Sequence, residues 1–418
     1  MALIRSRFWR QLGPGLVTGA ADDDPSGIAT YAQAGAQFGF GLGWTLVVAY
    51  PLMVAIQAIC ARIGRTTGRG IAGNVRRHYP HVVLHGIIVL LFCANVLNIG
   101  ADLGAMAQSM RLLVPIPVWI SVVIFGAVCI AGQIFLKHKR YVTALKWLTL
   151  SLLAYFGTLF AVRVSWLELL AGLLPRWRTS SDFWMMVVAI LGTTISPYLF
   201  FWQAEQEVED TKALPLREPL LEAPDQGPSA LARIRLDTLL GMAASNLVAL
   251  AILVTFAATL HTNGSHEIGT AAQAAEALRP IAGTWAFALF SIGIIGTGLL
   301  SVPVLAGSAA YALGEARQWP VGLSRAPVQA KAFYGAIVVA TLLGALGNIL
   351  RVNPIQALVW SAVINGIVAT PVMVIVMLLA SRADVMGRFP ISLRLKVTGW
   401  LATAVMAAAS VGFVWSAS

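Results

Sequence analysis

Apolar residues run along this chain in blocks of about 20, separated by short polar stretches, at 12–38, 42–61, 82–110, 116–136, 142–162, 182–204, 236–260, 281–313, 328–349, 356–380 and 393–415. A helix needs about 20 apolar residues to cross a hydrocarbon core of about 30 Å, so the pattern predicts eleven membrane spans. Two spans are interrupted: the first at "DDDPSG" and the sixth at "GTTISPYLFFW", residues 192–202. Ten residues from Leu12 to Ala21 rise about 15 Å, which sets the first break near the bilayer midplane. Breaks five spans apart lie in segments of opposite direction and mark an inverted repeat. The expected architecture is an all-α integral membrane protein, a five-plus-five inverted repeat with an eleventh helix, helices 1 and 6 broken at the midplane.

The domain reading follows. Residues 1–165 form the first repeat, 166–204 the start of the second with its broken helix, 205–235 a cytoplasmic loop, 236–382 the remaining second-repeat helices, and 383–418 the eleventh. The segment 205–235, rich in charge and proline, reads as a mobile loop without catalytic content. An external connection, 261–280, carries enough alanine for a short helix. The first span has no cleavage site after "MALIRSRFWR" and is expected to be retained.

Composition agrees with this pattern and changes the meaning of the charge. The 418 residues are 58% hydrophobic and 11% charged, against roughly 25% charged in a soluble domain. With a cytoplasmic N-terminus and an external C-terminus, 23 of the 29 Lys and Arg fall in cytoplasmic segments and six outside. The net charge of +11 is therefore a topology signal and not a nucleic-acid footprint. Short loops fit a bacterial inner membrane. Cys60, Cys93 and Cys129 lie in predicted spans without CxxC spacing and read as small buried residues.

The candidate chemistry sits at the breaks. Backbone without partners is tolerated at that depth only where it lines a cavity or path. Pro25 and Pro197 each remove a donor, which frees carbonyls at the ends of the half-helices, Ala21 among them. Carbonyls and a carboxylate converging near the midplane make a cation site. Asp24, directly before Pro25, is the chosen ligand; Asp22 and Asp23 either line the path or cap a helix starting near Ile28. Asn95, Asn98 and Asp102 share one helical stripe, facing a wet cavity. Gln33, Gln37, Gln203, Ser361 and Asn365 either bind water on the ion or bridge helices.

The stretch "GPGLVTGAADDDPSGIATYAQAGAQFGFGLGW" resembles the first-helix signature of the natural resistance-associated macrophage protein (NRAMP) family of divalent metal transporters. The likeness continues through "LMVAIQAICARIGRTTGRGIA", "NIGADLGAMAQ" and "FALFSIGIIGTGLLSVPVLAGSAAYAL". The resemblance implies a LeuT-like fold and a metal site. The family's turn aspartate matches Asp24, its turn asparagine Gly27, its alanine carbonyl in span six Thr193, and its methionine before the proline Ser196. Two side-chain ligands are thus replaced. Losing a soft thioether favours hard oxygen-seeking ions, and this chain looks similar to a branch of NRAMP-related Mg²⁺ transporters. Mn²⁺ stays open, as does the alternative that Thr193 and Ser196 only satisfy nearby carbonyls. Tyr198 stands where proton-coupled members have a histidine, and Ala105 where they have the acidic partner of Asp102, so weak or no proton coupling is expected. Asp102 then serves either as a cation attractor or as a proton carrier.

The functional expectation is alternating-access uptake of a divalent cation, Mg²⁺ or Mn²⁺. Its partners are the ion and the bilayer, with no cofactor, no nucleic acid and no obligate protein partner. Asp23, Asp102, Asn98, Tyr198, Gln33 and Asn365 are assigned to gating or the ion path. Two other functions compete: an amino-acid carrier of the same architecture, against which three aspartates at the break argue, and an intramembrane aspartyl protease using Asp24 with Asp102.

Overall fold

The computed structural model describes residues 14–136, 155–157, 160, 164–214, 216–350 and 352–417. The predicted span 142–162 falls largely outside these residues, as do the basic residues before Pro14, those at 137–146, Arg163 and Arg351. The other ten blocks are helical. They form α1 (Pro14–Asp22) and α2 (Pro25–Phe38), α3 (Gly43–Thr67), a short α4 (Ile71–His78), α5 (His81–Leu113), α6 (Val118–Phe135), α7 (Ser181–Thr194) and α8 (Pro197–Ala213), then α9 (Gly227–Phe256), α10 (Ala286–Arg317), α11 (Lys331–Gly347), α12 (Pro354–Ser381) and α13 (Leu393–Ala417). Among the described residues there is no strand. Eight helical stretches there are long and apolar enough to cross a membrane, with α11, at 17 residues, a shorter ninth. Leu97, Val123, Leu342 and Val411 point outward, as a lipid-facing surface requires.

Both interruptions are two residues long, Asp23 and Asp24 in the first, Ile195 and Ser196 in the second. Proline opens the helix after each break, where its missing N–H is no loss and its fixed φ suits a first turn. The helix after the first break begins at Pro25, one turn earlier than the sequence suggested, because Asp24 supplies the cap. Gly39, at φ 58°, ends α2 in a backbone region that L side chains resist.

The broken helices are held at the centre by close backbone approach. α1 lies on α9, where a Cβ on Gly19 would stand 2.3 Å from the Gly241 carbonyl oxygen. α7 lies on α12, where a Cβ on Gly192 would stand 2.1 Å from that of Ala362. Small residues let helices meet this tightly without lipid between them. α2 packs against α7, α9 and α12, and α5 against α10 and α12, so both breaks and the polar stripe of α5 lie inside the bundle.

Three features differ from the sequence reading. Of the described residues in 205–235 only 214 and 216–223 are loop, since α8 continues to Ala213, a short helical turn covers Pro224–Gln226 and α9 starts at Gly227. Glu205 and Glu207 are buried on α8 rather than solvated, Glu207 paired with Arg233 of α9, which hydropathy averaging does not register. Cys93 is exposed, whereas Cys60 and Cys129 are buried. The external connection does carry a helix, Ala271–Glu276, closed by a Thr270/Gln273 capping box.

Candidate functional site

Asp24 is the hinge of the first break. One carboxylate oxygen caps its own helix, accepting from the Gly27 N–H at 2.6 Å, and the other faces inward, accepting from the Asn98 amide at 3.1 Å and the Tyr198 hydroxyl at 3.3 Å. The capping role expected of Asp22 or Asp23 thus falls to Asp24, because only the residue before Pro25 can reach the N–H three residues on. Asp22 and Asp23 turn instead to α9, where Ser245 Oγ lies 2.6 and 3.1 Å from one oxygen of each.

The second break meets the first through Tyr198, whose hydroxyl also lies 3.2 Å from the Ala21 carbonyl oxygen. Ala21 and Asp24 therefore present oxygens to one point. Thr193 comes up from α7: a Cβ on Gly27 would stand 3.0 Å from its hydroxyl oxygen, so the absence of a side chain at 27 leaves space that Thr193 borders. Ser196 behaves differently. Its hydroxyl turns back to the Gly192 and Thr193 carbonyls, at 2.7 and 2.9 Å, an intrahelical pattern common for serine in membrane helices.

α5 closes the group. The Asn98 amide nitrogen lies between Asp24 and Asp102, 3.4 Å from the latter, and its oxygen accepts from Asn365 of α12 at 3.1 Å. Asp102 also accepts from Ser301 of α10 at 2.8 Å. Ser301 was missed in the sequence, although a hydroxyl inside an apolar span is a visible signal. All four side chains are sealed, with Asp24 2% exposed and Asp102, Asn98 and Tyr198 at 0%. Neither Asp24 nor Asp102 is ion-paired among the described residues.

Not every assigned residue reaches this group. Gln33 bonds the external connection, to the His266 carbonyl at 3.2 Å and the Ile268 N–H at 3.0 Å, so it bridges elements far from Asp24. Gln203 accepts from Thr18, also a bridge. Asn95, on the same stripe as Asn98, is spent on the Leu305 carbonyl and Ser308 of α10. A carboxylate contact absent from the sequence reading stands at the end of α10, where Glu315 accepts from the Gly70 and Gly73 N–H groups, both at 2.7 Å, and so caps α4. Among the described residues no three His, Cys, Asp or Glu side chains form a ligating cluster.

The sequence pattern of the family described as "Natural resistance-associated macrophage protein-like" (Nramp) matches residues 15–416. The chain belongs to the Nramp family. It is 26% identical to the divalent metal cation transporter MntH of Ralstonia nicotianae, covering 98% of this chain and 92% of that protein, and 24% identical to MntH of Deinococcus radiodurans, covering 97% and 89%. Among solved structures it is similar to the Eremococcus coleocola manganese transporter in complex with an aromatic bis-isothiourea compound, at TM-score 0.77 and 16% identity over 96% of this chain and 86% of that one. It is also similar to Mhp1, a nucleobase-cation-symport-1 family transporter, at TM-score 0.55 and 15% identity over 97% and 93%. Those two likenesses speak to fold alone. As an Nramp protein the chain is a membrane transporter and not an enzyme, so the protease reading of Asp24 with Asp102 falls.

Proposed function

We propose that this Nramp protein is a divalent metal cation transporter that carries Mg²⁺ ahead of Mn²⁺, with weak or no proton coupling. The observation that carries the cation reading is a surplus of buried oxygen acceptors. Among the described residues Asp102 Oδ1, Asn365 Oδ1 and Asp22 Oδ1 have no hydrogen-bond donor, while Asp24 and Asp102 share the Asn98 amide with no cationic side chain paired to them. A buried carboxylate without a counter-charge costs several kcal/mol, which a divalent cation between Asp24, the Ala21 carbonyl and Thr193 offsets. MntH relatives carry that chemistry in their names, which supports the same substrate class here.

The preference for Mg²⁺ rests on the donor set. No thioether stands at the second break, the Ser196 hydroxyl is engaged with backbone, and Gly27 brings no amide ligand, so the donors are all oxygens, the set that suits Mg²⁺. Tyr198 in place of an imidazole supports weak coupling, since a phenol ordinarily keeps its proton below pH 10. The membrane potential alone is worth about 4.6 kcal/mol per 100 mV for a doubly charged ion, so uptake needs no proton. The bacterial relatives and the basic cytoplasmic segments support the inner membrane, N-terminus inside.

The test is uptake into proteoliposomes of Mg²⁺ and Mn²⁺ with an internal pH dye, for the wild type and Asp24→Ala. Mg²⁺ entry without acidification, abolished by the substitution, is expected. Mn²⁺ entry with protons and exclusion of Mg²⁺ would overturn the selectivity reading, and no ion movement would return the amino-acid carrier to first place.

A further inference from the structure

Away from the broken helices, a cavity of about 480 Å³ lies where the end of α3, the end of α8, residues 216–226 and the start of α9 meet, lined by Arg65, Arg217, Arg233, Gln226, Ser229 and Leu236. Arg217 is paired with Asp210 at 2.6 Å and Arg233 with Glu207, and the Asp237 carboxylate also acts on Arg233. Arg65 bonds only neutral acceptors, the Glu218 carbonyl, Gln226 Oε1 at 2.7 Å and Thr211 Oγ1 at 3.4 Å. The second Arg233 amino group, Nη1, is buried without an acceptor. Among the described residues Arg65 is thus the lining guanidinium that no carboxylate bonds, and its charge at the cavity wall suits an anion with several oxygens.

A second observation says what carries that anion. Leu236 lines the cavity and opens a stripe along α9, Leu236, Leu240, Ala244 and Leu247, at spacings of four, four and three. All four are exposed, the leucines by 40%, 38% and 53%, on a helix that spans the membrane. A basic cavity at the head of a lipid-facing apolar track matches a molecule with a phosphate at one end and acyl chains at the other.

We propose that this cavity binds the headgroup phosphate of an anionic glycerophospholipid, whose acyl chains lie along the α9 stripe. Bound there, the lipid joins α3 and α9 to residues 216–226 without touching the ion path.

The experiment is native mass spectrometry of the full chain released from detergent, with phosphatidylglycerol, phosphatidylcholine or glycerol 1-phosphate added, for the wild type, Arg65→Gln and Ala232→Trp. Ala232 lines the same cavity, so tryptophan there fills it and leaves every charge in place, which keeps the test valid should loss of Arg65 loosen residues 216–226. Phosphatidylglycerol is expected to be retained by the wild type over phosphatidylcholine, and about tenfold more weakly by both variants. Equal retention of the two lipids, or wild-type retention by both variants, would overturn the site. Displacement of phosphatidylglycerol by glycerol 1-phosphate would overturn the lipid assignment in favour of a soluble phosphate.

Discussion

The two breaks have the same length and the same proline after them, yet they use their side chains in opposite ways. At the first, Asp24 splits its carboxylate between its own helix and the interior. At the second, Ser196 spends its hydroxyl on carbonyls of the preceding half-helix and caps nothing. Charge is therefore concentrated at one break, while the other contributes neutral oxygens and Tyr198. Under the proposed function, a site divided in this way would draw its attraction from Asp24 and Asp102, and its discrimination between ions from the uncharged side.

The largest effect is expected from removing the charge. Asp24→Asn keeps an oxygen able to cap α2 but discards the negative charge, and uptake of either ion should fall on the order of 100-fold, equivalent to about 2.7 kcal/mol, in a proteoliposome assay. Retained uptake would mean that the first break does not hold the ion. Next comes selectivity: Ser196→Met places a thioether at the second break and should move the Mn²⁺ to Mg²⁺ uptake ratio about tenfold toward Mn²⁺. An unchanged ratio would show that the second break discriminates through its carbonyls alone.

A third substitution tests packing between the breaks. Gly27→Ala puts a Cβ 3.0 Å from the Thr193 hydroxyl, a contact that requires Thr193 to move by a few tenths of an ångström. The expected result is a several-fold rise in the Mg²⁺ concentration for half-maximal uptake with the protein still folded. Glu315→Gln lies outside the comparison and measures fold stability. An amide offers one accepting oxygen where the carboxylate offers two to Gly70 and Gly73, so about 1–3 kcal/mol should be lost in chemical denaturation while ion selectivity stays as it was.

The smallest effect is expected at the surface. Arg382 grips Asp384 with two hydrogen bonds of 2.9 and 2.7 Å and holds its carboxyl down to about 2. Because the folded value lies below the unfolded one, this pair contributes above the unfolded pKa of 3.8 and is lost as pH falls toward 2. Between pH 5 and 8, where the pair is fully formed, Asp384→Asn should lower the thermal melt only slightly, because an exposed ion pair contributes little. A large drop in the melt would mean that Asp384 also anchors α4 through His78, 3.4 Å away.

Much of this was legible in the chain itself. Hydrophobic block length placed ten helices that the structure contains, since crossing a bilayer demands a fixed number of apolar residues regardless of what packs beside them. Both breaks were legible because proline removes a backbone donor wherever it stands. The polar stripe of α5 was legible only in part: helical spacing put Asn95, Asn98 and Asp102 on one face, but a face does not say which neighbour each meets, and Asn95 proved to be held by α10. Gln33, assigned to gating or the ion path, bonds the external connection and not the Asp24 group, a partner that depends on where that connection folds back.

By itself, then, the sequence determined the spans, the positions of the breaks and the presence of acids beside the first. These follow from local chemistry: hydropathy, helix geometry and the lack of a proline N–H. Only the tertiary structure decided which aspartate caps and which turns to α9, that Asn98 stands between Asp24 and Asp102, that Ser196 turns back on its own helix, and that Glu205 and Glu207 are buried. The Asp24 cap and the Ser196 turn are local bonds whose choice of partner the packing settles, and the others depend on contacts between helices far apart in the chain. Spacing along one helix fixes the direction of a side chain, and the partner that ends its reach is fixed by how the other helices pack.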